Sequence, residues 1–170
     1  SISYDSENDK PVNPDNFLVT AQKCNITATS KLTFNVAAQS KNDPAEHYGV
    51  AISTKSNTKA EDFEVIFDET LTAGNVDATS IQGQWFERSI DLSEYAGQSV
   101  YIAFRHYNSA NNFWINLDNV SLTGSTITRA EEEGEWLYYD NGIYESASGN
   151  FTYETYPPTP TQIFWAIMFP

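Results

Sequence analysis

Hydrophobic and polar residues alternate in several short segments of this chain. Because successive side chains of a β-strand point to opposite faces, residues two apart in such a segment share one face. The alternation predicts four strands, whose apolar faces are formed by Leu32, Phe34 and Val36, by Tyr48, Val50 and Ile52, by Phe63, Val65 and Phe67, and by Val100, Ile102 and Phe104. This pattern indicates a protein built mainly from β-strands.

Turn-forming residues separate these segments. Gly, Pro, Asn, Asp and Ser favour turns, and they occur in residues 39–44, 56–60, 72–79 and 108–112. Residues 93–97 begin with Ser and end with Gly, which predicts one helical turn. Residues 1–16 are polar and contain Pro11 and Pro14, which predicts a loop. Many short strands at regular spacing favour an all-β fold, a β-sandwich or jelly roll.

The alternation slips inside residues 112–122. Phe113, Ile115 and Leu117 share one face, whereas Val120 and Leu122 fall on the opposite one, so the phase changes at Asp118 and Asn119. A β-bulge inserts one extra residue and produces such a slip. A strand that is buried on both faces is the other interpretation, and the pattern leaves both open.

The composition changes after Gly124. Residues 125–134 are polar and acidic, as a linker would be, and strand-like segments follow at 135–139 and 151–156. We therefore predict three parts: a β-sandwich in residues 1–124, a linker in 125–134, and in 135–170 either the start of a second, truncated β domain or a tail that docks onto the first.

The charge of the chain excludes some partners. Of its 170 residues, nine are Lys or Arg and 23 are Asp or Glu, which gives a formal net charge of −14. Nucleic-acid affinity comes largely from basic side chains that neutralise phosphates, so we expect no nucleic-acid partner. No segment is long and apolar enough for membrane insertion. Surplus carboxylates suit calcium, which prefers hard oxygen ligands, although they also serve solubility alone.

The sequence gives little support for a catalytic site. Cys24 is the single cysteine, and a Cys–His pair with His47 or His106 would need an activated thiolate oriented by a base. No glycine-rich turn exposes Cys24. The many carboxylates give no reason to select one pair for glycoside hydrolysis. We expect a chain that is not an enzyme.

The best candidate for recognition is the segment 105–114. Aromatic side chains there offer rings for stacking, and asparagines offer paired donors and acceptors. Loops at the end of a sandwich commonly carry function. The predicted ligand-binding residues are Arg105, Tyr107, Asn108, Asn111, Asn112 and Trp114. The alternative is that the aromatic residues belong to the core and the asparagines only shape a turn.

Several segments resemble the cleaved adhesin domains of the gingipain and haemagglutinin family. In order along the chain they are NPDNFLVT (13–20), KLTFNVAAQ (31–39), EHYGV (46–50), AFRHY (103–107) and FWINLDNV (113–120). Each motif alone is weak, but their shared order and spacing make the resemblance specific. The segments EWLYYDNG (135–142) and FWAIMFP (164–170) resemble the start of a second gingipain-associated domain.

The resemblance implies a jelly-roll β-sandwich of the galactose-binding or MAM-like kind, located in a secreted or bacterial cell-surface protein. It also implies calcium, with Asp118 as a metal ligand. The family's first strand, with its Phe-Glu-Asn-Gly-type motif, is not found here, so an N-terminal strand is expected to be missing. Asn119 stands where the family commonly has Asp. The calcium site is therefore expected to be incomplete in this chain.

The function that the resemblance implies is adhesion. We expect an extracellular module that binds a host or matrix protein or glycan. The alternative is a structural module that binds sibling adhesin modules and holds a processed multi-domain surface protein together.

Overall fold

The computed structural model of the chain describes residues 1–127, 136–140 and 143–147. The strands are β1 (Tyr4–Asp5), β2 (Lys10–Pro11), β3 (Asp15–Val19), β4 (Cys24–Asn25), β5 (Lys31–Ala38), β6 (His47–Ser53), β7 (Glu64–Thr70), β8 (Phe86–Asp91), β9 (Ser99–Tyr107), β10 (Ile115–Thr123), β11 (Thr126–Ile127), β12 (Trp136–Asp140) and β13 (Ile143–Ala147). Within these residues the helical elements are two 3₁₀ turns, Ala60–Asp62 and Ser93–Tyr95. The predicted all-β class is confirmed, as is a helical turn after Ser93.

Two antiparallel sheets form a jelly-roll sandwich. The larger sheet is organised around β9, which pairs with β6 on one side and with β3 and β4 in succession on the other. Strand β7 extends the sheet beyond β6, β11 pairs with β4, and the hairpin β12–β13 pairs with β3. The smaller sheet has the order β10–β5–β8.

The main core lies between the two sheets. The predicted apolar faces of β5, β6 and β9 all point into it and are buried. At its centre, Phe34 of the smaller sheet makes edge-on ring contacts with Phe104 and Tyr48 of the larger one, at centroid distances of 4.9 and 6.0 Å. Each fully buried side chain of this size contributes about 1.5–3 kcal/mol, so these strands supply most of the hydrophobic stabilisation.

A charged contact closes one side of the sandwich. Arg88 of β8 donates to both carboxylate oxygens of Glu69 of β7, at 2.7 and 3.0 Å, and the Tyr48 hydroxyl donates to Glu69 at 2.5 Å. The hydrogen bond with Glu69 raises the pKa of Arg88, and burial raises the pKa of Tyr48. The two sheets are thereby held together at β7 and β8, which are edge strands among the described residues.

A bulge in β7 changes one of the predicted strand faces. Val50 pairs with Phe67 and Ala51 with Val65, so Ile66 is the extra residue. Val65 consequently packs in a small cluster on the outer face of the larger sheet, whereas Phe67 packs against the main core. The prediction that Phe63, Val65 and Phe67 share one face is therefore wrong, because alternation breaks wherever a bulge intervenes.

The outer face of the larger sheet has its own small core. Phe17, Val19, Ala51 and Ala103 are buried there, and Phe63 packs against them after the 3₁₀ turn Ala60–Asp62. Phe17 and Phe63 lie with ring centroids 5.7 Å apart. Part of the larger sheet is thus buried on both faces.

The predicted slip in residues 112–122 is a bulge. Asp118 pairs with Asn35 and Ser121 with Thr33, so Asn119 and Val120 together oppose a single residue of β5. Asn119 has φ of 51°, a left-handed conformation that Asn tolerates better than most residues. After the bulge, Val120 and Leu122 return to the core side that Ile115 and Leu117 occupy. The alternative of a strand buried on both faces is excluded.

Other differences concern the ends of the chain. The opening residues were predicted to be a loop, but they contain the hairpin β1–β2 and the beginning of β3. Strand β12 lies where residues 135–139 predicted a strand, whereas the segment 151–156 lies outside the described residues. The division into residues 1–124, 125–134 and 135–170 stays a prediction.

The bulge conformation makes a stability prediction. Asn119→Val should lower the free energy of unfolding by about 1–3 kcal/mol, because a β-branched residue is strained at positive φ. Asn119→Gly should stay close to the original protein, because Gly adopts this conformation without strain. Urea unfolding followed by tryptophan fluorescence measures both. Equal stability of the two variants would contradict the bulge geometry.

Candidate functional site

Arg105 and Tyr107 lie on the outer face of the larger sheet. They alternate along β9 with Phe104, which faces the main core, and with His106, which is buried. Beyond the small outer core the face becomes polar and half-exposed. We call Asp15, His47, Asp68, Arg105 and Tyr107 the Arg105 patch.

Arg105 is held from two directions. Its Nε and Nη2 donate to the two carboxylate oxygens of Asp15 at 2.6 and 2.9 Å. Its guanidinium carbon lies 4.2 Å from the ring centroid of Tyr107 and 5.0 Å from that of Phe17. A bidentate carboxylate contact and stacking on aromatic faces are the strongest ways to orient a guanidinium. The Arg105 side chain is therefore fixed, with 27% of its surface exposed.

Tyr107 is oriented by its neighbours on β6 and β7. Its ring meets the His47 ring edge-on at 4.8 Å, and its hydroxyl donates to Asp68 at 3.4 Å. His47 Nε2 lies 3.4 Å from the same Asp68 oxygen. Gly49 is required by the neighbouring backbone, because a Cβ there would lie 2.8 Å from the carbonyl oxygen of Phe67, whereas its 3.4 Å distance from Tyr107 Cε1 would be an ordinary contact.

Arg105 stays charged and Tyr107 stays neutral at neutral pH, because the pKa of each is raised. The hydrogen bond with Asp15 raises the pKa of Arg105. Burial, followed by the charge of Asp68, raises the pKa of Tyr107. The patch therefore presents a permanent cation that is stacked on a neutral phenol, with a carboxylate on either side.

The asparagines of the predicted recognition loop mainly shape the turn. Asn108 and Asn111 have φ of 50° and 59° and are exposed. Asn112 Nδ2 donates to the carbonyl of Ala45 at 2.9 Å and to Ser109 Oγ at 3.3 Å. These features support the alternative that the asparagines shape the turn.

Trp114 lies on the other side of the molecule. It precedes Ile115, which packs against the main core, so alternation turns Trp114 to the outer face of the smaller sheet. Its ring stacks on Phe113 at 4.1 Å, and Nε1 donates to Asn116 Oδ1 at 3.2 Å. The predicted site residues are therefore divided between the outer faces of two different sheets and do not form one surface.

A buried carboxylate anchors the loop between these two faces. Glu46 is fully buried. Ser3 Oγ and the backbone N–H of Phe113 donate to its Oε1 at 2.8 Å, and Ser109 Oγ donates to Oε2 at 2.5 Å. His106 Nε2 lies 2.9 Å from Oε2. One carboxylate thus joins the first residues of the chain, the end of β9 and both sides of the 108–114 loop.

The charge of Glu46 depends on these donors. Burial by itself raises its pKa, but the hydrogen bonds from His106, Ser109 and Ser3 and the attraction of His106 outweigh burial, so the net pKa is lowered. A carboxylate only accepts, so His106 Nε2 carries the proton in this contact. Nδ1 of the same ring is buried without a hydrogen-bond partner among the described residues.

Sequence reasoning missed Glu46. A glutamate just before an alternating strand is usually solvated, and its partners are distant in sequence, at positions 3, 106, 109 and 113. The segment EHYGV did draw attention to this position through resemblance, but nothing in the hydrophobic pattern indicates a buried charge.

Cys24 lacks the properties of a nucleophile. It is 1% exposed, and burial raises the pKa of its thiol to about 11. His47 and His106 contact Asp68 and Glu46 on other parts of the fold. A reactive thiolate requires a lowered pKa and access to substrate, so no catalytic Cys–His pair is formed by these residues.

The structure gives Asp118 a role in the bulge. It is exposed, and its Oδ1 accepts the backbone N–H of Asn119 at 2.7 Å. In the part of the chain that the structure describes, no three His, Cys, Asp or Glu side chains are grouped so that they could hold a metal ion. Calcium, with Asp118 as its ligand, stays a prediction from the resemblance.

Comparison with known proteins identifies the relatives of this chain. The model of the Cleaved Adhesin Domain family matches residues 1–122. Hemagglutinin A of Porphyromonas gingivalis (strain W83) is 38% identical over 120 residues, which cover 66% of this chain and 5% of that protein. Gingipain R1 of Porphyromonas gingivalis (strain ATCC 33277) is 34% identical over 143 residues, 75% of this chain and 8% of that protein.

Solved structures of the same family share the fold. The K1 cleaved adhesin domain of Lys-gingipain from Porphyromonas gingivalis W83 superposes with a TM-score of 0.64 and 35% identity, covering 72% of this chain and 71% of that one. The K3 domain of the same protein gives a TM-score of 0.61 and 37% identity, covering 72% and 68%. This chain corresponds to a small part of the full-length relatives. No helix in its described residues is long and apolar enough to cross a membrane.

The Glu46 cluster makes a prediction with a pH dependence. Glu46→Gln should lower the free energy of unfolding by about 3 kcal/mol or more, because an amide N–H₂ would then face buried donors. Since folding lowers the pKa of Glu46, its contribution is fully present above about pH 4.5 and is lost as the pH falls through the lower folded value. The difference between the two proteins should therefore shrink below pH 4.5 in urea unfolding. Exposed Glu61→Gln is the matched control, and a Glu46→Gln effect no larger than that of the control would contradict the assignment.

The role of Asp118 makes a second prediction. Asp118→Ala should lower the free energy of unfolding by about 1 kcal/mol through loss of the Asn119 hydrogen bond, to the same extent in calcium and in EDTA. Asp118→Asn keeps an acceptor oxygen and should behave like the original protein. Thermal unfolding of all three proteins in both buffers tests this. Stabilisation by calcium that disappears only in the Asp118 variants would instead show that Asp118 is a metal ligand.

Proposed function

Because the chain belongs to the Cleaved Adhesin Domain family, we propose that it is a secreted or cell-surface binding module that recognises a host or matrix protein or glycan. Its relatives include proteins named Hemagglutinin A and gingipains, and the chain corresponds to an adhesin part of such proteins. Binding, without chemistry on the ligand, is the function that we assign to it.

The observation that carries this proposal is the Arg105 patch. Arg105 and Tyr107 are stacked and held before any ligand arrives, by Asp15 on one side and by His47 and Asp68 on the other. Arg and Tyr are enriched among residues that dominate binding energy. Because little side-chain freedom remains to be lost, binding at this patch costs less entropy.

The charge of the chain narrows the class of partner that can bind. Arg105 is a cation in a molecule of net charge −14. The net charge attracts basic partners and repels acidic ones at long range, whereas the patch itself offers a short-range donor to a carbonyl or carboxylate. A protein surface with mixed charge satisfies both conditions. Nucleic acid and anionic membrane surfaces do not.

The second candidate function is assembly of a multi-domain surface protein. The backbone of β12 pairs with β3 at the edge of the larger sheet, with Tyr138 opposite Leu18 and Tyr139 opposite Phe17. Addition of a strand to an open sheet edge is a common way to join chain segments. Sibling adhesin modules are the partners that this function implies.

Removal of the Arg105 patch should weaken binding. Arg105→Ala and Tyr107→Ala should each reduce affinity by tenfold or more, as expected for a central hot-spot residue. Binding is measured by surface plasmon resonance against immobilised matrix proteins, erythrocyte membranes and the sibling modules. Circular dichroism checks that each variant stays folded.

Lysines elsewhere serve as controls. Lys55→Ala and Lys59→Ala change exposed side chains at the opposite end of β6 and should leave affinity unchanged. Equal losses in all four variants would contradict a specific patch. If the chain binds only the sibling modules, and Arg105→Ala binds them with unchanged affinity, the assembly function is favoured.

A further inference from the structure

Trp85 is exposed on the outer face of the smaller sheet. The next residue, Phe86, pairs with Val36 and packs against the main core, so alternation turns Trp85 to the opposite side. Its surface is 39% exposed. A large flat ring that remains open to solvent at the beginning of a strand is available for stacking.

The strands place a small residue between Trp85 and a polar edge. Phe86 pairs with Val36, and the backbone N–H of Gly83 donates to the carbonyl of Ala38 at 3.0 Å, so Gln84 and Trp85 lie opposite Ala37. Asn116 pairs with Ala37 from the other side. Strands β8 and β10 are two strand spacings apart, about 10 Å. Ala37 is fully buried although it faces outward. We call Trp85, Asn116 and Gln39, which lie around it on the same face, the platform.

The polar edge of this platform is oriented. Trp114 Nε1 donates to Asn116 Oδ1 at 3.2 Å, and Asn116 Nδ2 donates to Gln39 Oε1 at 2.8 Å. These contacts fix which end of each amide carries the donors. A primary amide has two N–H groups and an oxygen with two lone pairs, so Asn116 and Gln39 keep capacity to donate to and accept from a ligand hydroxyl.

The charges near the platform are negative. Glu87 lies two residues after Trp85 and Asp118 two residues after Asn116, on the same face, and both are exposed. The basic residues of these strands lie elsewhere: Lys31 is at the far end of β5, and Arg88 contacts Glu69. Carboxylates accept hydrogen bonds from neutral hydroxyls but repel an anion.

We infer that Trp85, Asn116 and Gln39 form a binding site for a neutral sugar ring. The apolar face of the sugar stacks on Trp85, and its hydroxyl groups bond to the two amides and to Glu87. This site lies on the smaller sheet and is separate from the Arg105 patch on the larger one. A single module thus offers two faces, so it can contact a glycan on one side and a protein on the other.

A glycan array tests the inference. The folded chain is applied to galactose-, glucose-, mannose- and N-acetylglucosamine-terminated glycans beside sialic-acid-capped versions of the same chains. We expect retention on at least one neutral glycan and loss on its sialylated form. Trp85→Ala should reduce affinity for that glycan by tenfold or more in calorimetry, and Trp85→Phe should be intermediate, because a smaller ring still stacks.

Two controls separate this site from other surfaces. Ile81→Ala removes an apolar side chain that is 79% exposed in the preceding loop, and Lys55→Ala removes an exposed charge after the end of β6. Both should bind the glycan like the original protein. Absence of any neutral glycan ligand, preference for sialylated chains, or unchanged affinity of Trp85→Ala would overturn the inference. None of these outcomes bears on whether Arg105→Ala weakens protein binding. The two proposals can therefore fail independently.

Discussion

The fully buried carboxylate of Glu46 is the interaction on which one end of this sandwich depends. It gathers donors from the first residues of the chain, from the end of β9 and from both ends of the 108–114 loop. A charge in that position is tolerable only because every contact on it is a donor, and removal of one side would leave the rest unpaired. The loops at this end are consequently fixed, and so are the strand ends that carry the outward-facing residues.

A fixed loop separates the two surfaces that we propose for recognition. Strand β9 belongs to the larger sheet and β10 to the smaller one, so the connection between them crosses the sandwich. Arg105 and Tyr107 remain on the face of the first sheet, and Trp114 emerges on the face of the second. The surface on the larger sheet is a guanidinium held by a carboxylate and stacked on a phenol. The surface on the smaller sheet has an exposed tryptophan and oriented amides.

Bulges limit how well the alternation of apolar residues predicts the face on which each side chain lies in this fold. In β5, β6 and β9 the alternation runs unbroken through the core residues, and the predicted faces are those that the structure shows. In β7 the extra residue Ile66 shifts the pairing and sends Val65 and Phe67 to opposite faces. In β10 the slip at Asp118 and Asn119 was visible in the sequence, because both flanking stretches are apolar enough to reveal the change of phase.

The sequence by itself determined the all-β class, the main core faces and the family, because alternation and short motifs are local properties that can be read along the chain. It also predicted Arg105, Tyr107 and Trp114 as recognition residues. Only the tertiary structure decided that these residues belong to separate faces, that Glu46 is buried, and that β8, which directly follows Trp85, and β10, which carries Asn116, flank β5. Those facts depend on contacts between segments tens of residues apart, such as the 60 positions between Glu46 and His106, which no local pattern records.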